Sequence, residues 1–165
     1  MRLLIAAVGK LKQDPERELV VYYLGRAASA GRALGFSHFD IVEIPESRAA
    51  TAALRAQAEA TVLLAKSAST HDIAALDPRG EPLDSEAFAK MLSRLRDDGK
   101  PGLTFVIGGA DGLGNDLLDK AQRRLSLGPM TLPHGLARVV LAEQLYRAMT
   151  ILAGHPYHRA GAAQG

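Results

Sequence analysis

The chain has 165 residues, 47% of them hydrophobic, which suits one domain with a substantial core. It contains no cysteine, which excludes disulfides, cysteine-ligated zinc and thiol nucleophiles. A net charge of +2 does not by itself indicate nucleic-acid binding, and the longest stretch without Asp, Glu, Lys or Arg, residues 125–137, is too short to span a bilayer.

The first part of the chain alternates between predicted strands and helices. Arg2–Val8 is predicted to be a strand rather than a secretion signal, because Lys10 follows almost at once. This and the absence of cysteine favour a cytoplasmic protein. Asp14 and Pro15 are typical of a helix start. The second strand is predicted at Phe39–Ile44.

A second amphipathic helix is predicted over Arg48–Lys66, with its buried stripe at Leu54, Ala58, Val62 and Leu63. The elements predicted after it are a strand at Asp72–Leu76, a helix from Ser85 to Asp98, a strand at Leu103–Ile107, a helix capped by Asn115 or Asp116 and ending at Arg124, an extended segment at Leu125–Leu132 and a helix at Leu136–Ala153. This alternation predicts an α/β fold with a mostly parallel sheet of about five strands flanked by helices.

Glycines follow the central predicted strand. Gly108, Gly109, Gly112 and Gly114 give four positions at which the backbone can bend sharply or approach a ligand closely. Two interpretations stay open, a ligand-binding loop at the carboxyl end of a buried strand or a tight strand-to-helix turn. The spacing matches neither G-x-G-x-x-G nor G-x-x-x-x-G-K-[ST], which makes a nicotinamide or ATP site improbable.

The carboxyl-terminal part is the second informative stretch. Pro133 and Gly135 bracket His134 immediately before the last helix, and Glu143 and Arg147 are spaced to form a pair on that helix. The helix has so little polar surface that it must be covered on more than one side, and a partner subunit is an economical cover. The histidines lack the spacing and the carboxylates of a metal site, so no metal is expected.

Several motifs, in order and at matching distances, resemble the RlmH family of SPOUT-superfamily methyltransferases. The motifs are Ala6-Ala7-Val8-Gly9-Lys10, Leu76-Asp77-Pro78-Arg79-Gly80, Ile107-Gly108-Gly109-Ala110-Asp111-Gly112-Leu113, Met130-Thr131-Leu132-Pro133-His134, the run from Arg138 to Ala148 and His155-Pro156-Tyr157-His158-Arg159. Each motif is weak alone, but together they cover nearly the whole chain.

The resemblance implies an enzyme that methylates N3 of a pseudouridine in large-subunit ribosomal RNA, with the assembled ribosome as its substrate. It also implies a carboxyl-terminal trefoil knot, an exception to the usual rule against knotted chains, and an obligate homodimer. We expect one SPOUT-like domain over residues 1–159, followed by a short flexible tail, Ala160–Gly165, that such proteins usually lack.

The implied cofactor is S-adenosylmethionine. By matching motif, its contacts are Leu76, Gly108 and the run Leu127, Gly128, Pro129, Met130, Thr131 and Leu132. These positions also make physical sense, because glycines admit close backbone approach and leucines can enclose an adenine ring.

Candidate catalytic residues follow from the chemistry of the acceptor. The N3 atom carries a proton that a base or solvent must remove, and histidine has an ordinary pKa of about 6.5. We expect His134 and Arg138 at the reacting groups, and Tyr157, His158 and Arg159 on the RNA. The alternative for His134 is a loop histidine bonded to backbone. The alternative function is a non-catalytic dimeric module that binds RNA or a nucleotide.

Overall fold

The structure, a computed structural model, describes residues 1–157. Its elements are β1 (Arg2–Val8), α1 (Pro15–Gly31), a short 3-10 turn (Arg32–Leu34), β2 (His38–Ile44), α2 (Ala52–Lys66), β3 (His71–Pro82), α3 (Ser85–Asp97), β4 (Gly102–Ile107), α4 (Asn115–Lys120), β5 (Arg123–Ser126) and α5 (His134–Leu152). The five strands form one sheet in the order β2-β1-β4-β3-β5, and every neighbouring pair is parallel. The predicted α/β class is confirmed.

The centre of the sheet is β4, which lies between β1 and β3 with all of its residues buried. Its apolar run Leu103–Ile107 has no polar side chain except Thr104, as expected for a strand covered on both faces. Because the strands are parallel, β3, β4 and β5 deliver the segments that follow them to the same edge of the sheet.

Helices cover both faces of the sheet. On one face, buried residues of α1, α3 and α5 such as Leu24, Leu92 and Leu145 share a core with Phe105. On the other face, residues of α2 and α4 pack on Val106 and its neighbours in β1 and β3. The last helix, α5, therefore gains much of its cover from α1 and α3 of its own chain. No helix within residues 1–157 is long and apolar enough to cross a membrane.

The first half of the chain follows the sequence prediction closely. The bounds of β1 are as predicted, and Asp14 caps α1 by accepting a hydrogen bond of 3.0 Å from the Arg17 N–H. The predicted buried stripe of α2 is right at Leu63 and wrong at its other members, since Ala58 is exposed and Leu54 and Val62 are 51% and 42% exposed. Besides Leu63, the helix buries Ala56, Glu59 and Ala60. The buried face of α2 consists largely of small alanines, which allow the helix to lie close to the sheet. The large apolar residues Leu54 and Val62 lie on the exposed face.

The second half departs from the prediction at the edge of the sheet. The helix expected to end at Arg124 ends at Lys120, and Arg123 and Arg124 begin β5 by pairing with Ala74 and Ala75 of β3. The segment Leu125–Leu132 is strand only as far as Ser126, and the rest is loop. The knot that the resemblance implies stays a prediction.

The amino-terminal edge of the sheet holds a histidine that we expect to make stability depend on pH. The His71 ring lies 3.1 Å from the Thr104 hydroxyl through Nδ1, and burial, assisted by the charge of Arg2, lowers the pKa of His71 below its ordinary value. Below pH 6.5 the unfolded chain therefore binds a proton that the folded chain does not. The free energy of unfolding should fall as the pH drops through about 6.5, by at most about 1.4 kcal/mol per pH unit from this group.

Urea denaturation between pH 7.5 and pH 5.5 measures this dependence. In His71→Asn the free energy of unfolding should fall less between pH 7.5 and pH 5.5 than it does in the wild type, because the contribution of His71 is absent. Equal slopes in the two proteins would contradict the assignment of the effect to His71.

Candidate active site

A cavity of about 810 Å³ opens at the carboxyl edge of the sheet, between the ends of β3 and β4 and the loop that follows β5. Its size suits a cofactor or a drug-sized ligand. Among the residues predicted to bind the cofactor, it is lined by Leu76, Gly108, Leu127, Gly128, Met130, Thr131 and Leu132, whereas Pro129 does not line it. Three segments distant in sequence thus meet in one place.

The glycine loop, residues 108–114, forms one wall of the cavity. The Gly112 N–H donates a hydrogen bond of 3.0 Å to the Gly109 carbonyl, and Gly112 has a φ of +79°. A Cβ atom on Gly108 would lie 2.6 Å from the Gly112 carbonyl oxygen. The loop is therefore both a tight turn and a cavity wall, so the two interpretations of the glycines do not exclude each other.

The part of β3 that extends beyond its pairing with β4 supplies a charged pair to the cavity. Asp77 accepts hydrogen bonds from the backbone N–H, Nε and Nη2 of Arg79, at 2.8, 3.2 and 3.1 Å. The Arg79 guanidinium holds the pKa of Asp77 below its usual range, and Arg79 itself is 82% exposed at the side chain. The carboxylate is thus fixed and ionised, and the guanidinium remains at the surface.

The loop after β5 is held in place by Ser126. Its hydroxyl accepts a hydrogen bond from the Gly128 N–H at 3.1 Å and is itself 3.3 Å from the Pro78 carbonyl, to which it donates. This links the loop to the end of β3. Met130 on the same loop is 81% exposed, so the cavity has an apolar side chain at its mouth.

His134 lines the same cavity and is the first residue of α5. Its Nε2 atom lies beside Gly9 at the end of β1, since a Cβ on that glycine would be 3.3 Å away. The His134 ring makes no hydrogen bond to any residue that the structure describes. A histidine bonded to the backbone is therefore not what the structure contains, and the ring nitrogens remain available.

Arg138 lies elsewhere. Its side chain is 0% exposed, and Nη1 donates to Glu43 at 2.9 Å. Its Nη2 donates to the carbonyls of Val8 and Gly9. Arg138, expected at the reacting groups, has a guanidinium that does not line the cavity and is bonded at the end of β1; a part in the reaction stays a prediction that this geometry does not favour.

A second polar cluster lies on α5. The predicted pair is present, with Arg147 Nη2 donating to Glu143 Oε1 at 2.7 Å, and the Tyr157 hydroxyl donates to the same oxygen at 3.1 Å. Burial, followed by the charge of Glu143, raises the pKa of Tyr157 to about 12. Tyr157 is thus tied back onto α5. His158 and Arg159, expected on the RNA, and the tail Ala160–Gly165 lie outside the described residues.

Sequence reasoning did not select several residues of the cavity. Asp77, Arg79 and Asp111 occur in the motifs but are not among the residues predicted to bind a ligand, although all three line the cavity. A usable signal was present, because each follows a predicted parallel strand at its carboxyl end. Within residues 1–157 no group of three or more His, Asp or Glu side chains is arranged to hold a metal ion.

The fold and the cavity define an α/β protein with a ligand-sized cavity at the carboxyl edge of a parallel sheet, lined in part by glycine backbone. The chain matches the family model described as "Predicted SPOUT methyltransferase" over residues 1–158. It therefore belongs to the SPOUT methyltransferase family.

Two relatives of similar length match almost the whole chain, and one solved structure is similar to it. The chain is 56% identical over 160 residues to "Ribosomal RNA large subunit methyltransferase H" of Rhodopseudomonas palustris (strain BisB5), which covers 97% of this chain and 100% of that protein. It is 54% identical over 159 residues to the protein of the same name from Rhizobium etli, covering 96% and 99%. A solved structure of a probable methylase family protein from Haemophilus influenzae Rd KW20 is similar with a TM-score of 0.48 at 13% identity, covering 94% of this chain and 69% of that chain.

Proposed function

We propose that this protein methylates N3 of a pseudouridine in large-subunit ribosomal RNA, using S-adenosylmethionine, as a homodimer in the cytoplasm that acts on the assembled ribosome. Membership of the SPOUT methyltransferase family and the names of its relatives support the class of reaction. The resemblance to the RlmH family supports three finer parts of the proposal: that the methyl group goes to N3, that the modified nucleotide is a pseudouridine, and that the protein is a homodimer. The observation that carries the proposal is the cavity wall of bare glycine backbone at Gly108.

The residues around the cavity fit the proposed cofactor. Leu76, Leu127 and Leu132 supply apolar walls for an adenine ring, and Gly108 and Gly128 leave backbone groups accessible to its polar edges. The carboxylates of Asp77 and Asp111 each have an arginine partner, so the cavity is not strongly acidic. These features favour a ligand with a flat ring and a polar, charged tail.

Methyl transfer in this cavity requires that the methyl donor and the acceptor base be held in the correct orientation, and that one group accept the proton from N3. When bound, S-adenosylmethionine supplies an electrophilic methyl group. The walls of the cavity restrict the orientation of whatever is bound there, which is how most of the acceleration of a displacement reaction arises. We assign to His134, which lines the cavity and whose ring nitrogens bond to no residue within 1–157, the acceptance of the proton that leaves N3 of the acceptor.

The RNA and the second subunit involve other surfaces. We assign Tyr157, His158 and Arg159 to the RNA, because an aromatic ring, an imidazole and a guanidinium suit stacking on bases and binding phosphates.

We assign the second copy to α1. Val21 and Tyr22 of this helix are 61% and 52% exposed, and a second copy that packs on this apolar surface would remove it from water.

Calorimetry followed by a transfer assay tests the proposed function. S-adenosylmethionine should bind with one site per chain, and labelled methyl should be transferred to ribosomes but not to ribosomes already methylated at that nucleotide. Adenine and nicotinamide nucleotides are the controls. Binding of RNA without binding or consumption of S-adenosylmethionine would instead identify a non-catalytic module.

A further inference from the structure

Glu59 of α2 is a buried carboxylate that the proposed chemistry does not use. Glu59 is 5% exposed. Its Oε1 atom accepts a hydrogen bond of 2.8 Å from the Ser47 N–H in the loop before the helix. The other oxygen, Oε2, is buried and has no hydrogen-bond partner within residues 1–157. An unsatisfied buried acceptor is costly, so such a group calls for an explanation.

The free oxygen faces the glycine loop. A Cβ atom on Gly109 would lie 3.1 Å from Glu59 Oε2 and 3.0 Å from Cγ1 of Val8. Gly109 lines the cavity, whereas Glu59 does not. The carboxylate therefore contacts the backbone of the cavity wall without reaching the cavity itself.

The same helix touches the glycine loop at two other points. Arg55, four residues before Glu59, donates from Nε and Nη2 to the Asp111 carboxylate at 2.7 and 3.1 Å. This contact holds the pKa of Asp111 below its usual range. At the other end of the loop, a Cβ on Gly114 would lie 2.9 Å from the Ala56 carbonyl oxygen. One turn of α2 thus contacts the loop at its start, at its tip and at its end.

We propose that Glu59 is a positioning residue for the methyl donor, acting through Gly109. Ser47 fixes one carboxylate oxygen, and the other is kept as an acceptor for a backbone N–H of the glycine loop when the loop encloses its ligand. The charge of the carboxylate strengthens such a bond in a site that excludes water. This inference rests on the proposed function, because the ligand is the proposed cofactor.

Two substitutions separate the free oxygen from the anchored one. In Glu59→Gln the amide oxygen can still accept from Ser47, but an amide NH2 replaces the free acceptor. The dissociation constant for S-adenosylmethionine should rise about tenfold, with KM raised, kcat retained and the melting temperature close to that of the wild type. Glu59→Ala should lose the same affinity and also the stability that the Ser47 contact provides.

Gln57→Ala is the matched control, because Gln57 lies on the exposed side of the same helix, and it should bind S-adenosylmethionine as the wild type does. Glu59→Asp, which keeps the charge but withdraws both oxygens, replaces Glu59→Gln if the latter does not fold, and the same loss of affinity is expected. Wild-type affinity in a folded Gln or Asp variant would overturn the role of Glu59. A wild-type protein that does not bind S-adenosylmethionine would instead overturn the proposed function.

Discussion

Replacing Gly108 with valine is expected to weaken the binding of S-adenosylmethionine by on the order of a hundredfold. Any Cβ at this position would lie 2.6 Å from the carbonyl oxygen and 2.7 Å from the carbonyl carbon of Gly112. Both atoms belong to the backbone of a tight turn, so they cannot move aside as a flexible side chain would. The loop must open, and the cavity wall is lost with it. Calorimetry with S-adenosylmethionine measures the effect.

Ala58→Val is the control for this prediction, because it introduces the same side chain at an exposed position of α2 that does not line the cavity. This variant should bind S-adenosylmethionine as the wild type does and be slightly less stable, by about 0.5 kcal/mol, because valine favours a helix less than alanine does. If Gly108→Val remains folded and binds with unchanged affinity, the glycine loop is only a turn and the cavity is not the cofactor site.

Replacing Arg138 with methionine should lower the free energy of unfolding by about 3–5 kcal/mol. The fully buried guanidinium bonds to Glu43 and to the carbonyls of Val8 and Gly9, which together hold the end of β1 against α5. Its removal takes from Glu43, whose side chain is 16% exposed, the nearer of two cationic partners, since Arg17 at 3.9 Å remains. It also takes a donor from each of the two carbonyls. Urea denaturation at pH 7.5 measures the loss.

Arg94→Met is the matched control, because Arg94 is exposed on α3 and its side chain makes no hydrogen bond or ion pair to any residue within 1–157. Its unfolding free energy should change by less than about 0.5 kcal/mol. An Arg138→Met protein of wild-type stability that binds S-adenosylmethionine but transfers no methyl group would show that Arg138 acts on the reaction directly, as the sequence had suggested.

Local patterns were sufficient to predict much of the fold. The continuous apolar run of β4, the Asp14-Pro15 start of α1 and the regular alternation of strands and helices are each set by residues close together in the chain. The same holds for the Glu143–Arg147 pair, because the helix itself brings residues four apart together. Most of the positions that the motifs predicted to bind a cofactor prove to line one cavity, and their role in binding stays a prediction.

Other features depend on what each segment packs against. The buried face of α2 is chosen by how closely alanines approach the sheet, and the strand at Arg123 exists because β3 offers it an edge. Arg138 and His134 are four residues apart on one helix, yet one is sealed against β1 and the other faces the cavity.

The sequence by itself thus determined the strands, the helices and the loops at which a ligand can bind, since these follow from hydrophobic period and from glycine, proline and capping residues at short range. The tertiary structure alone decided which of the charged side chains face the cavity and which support its walls. Glu59, Arg55 and Asp111 come together from segments up to 56 residues apart, and no short-range pattern encodes a contact that exists only when a helix packs on a loop.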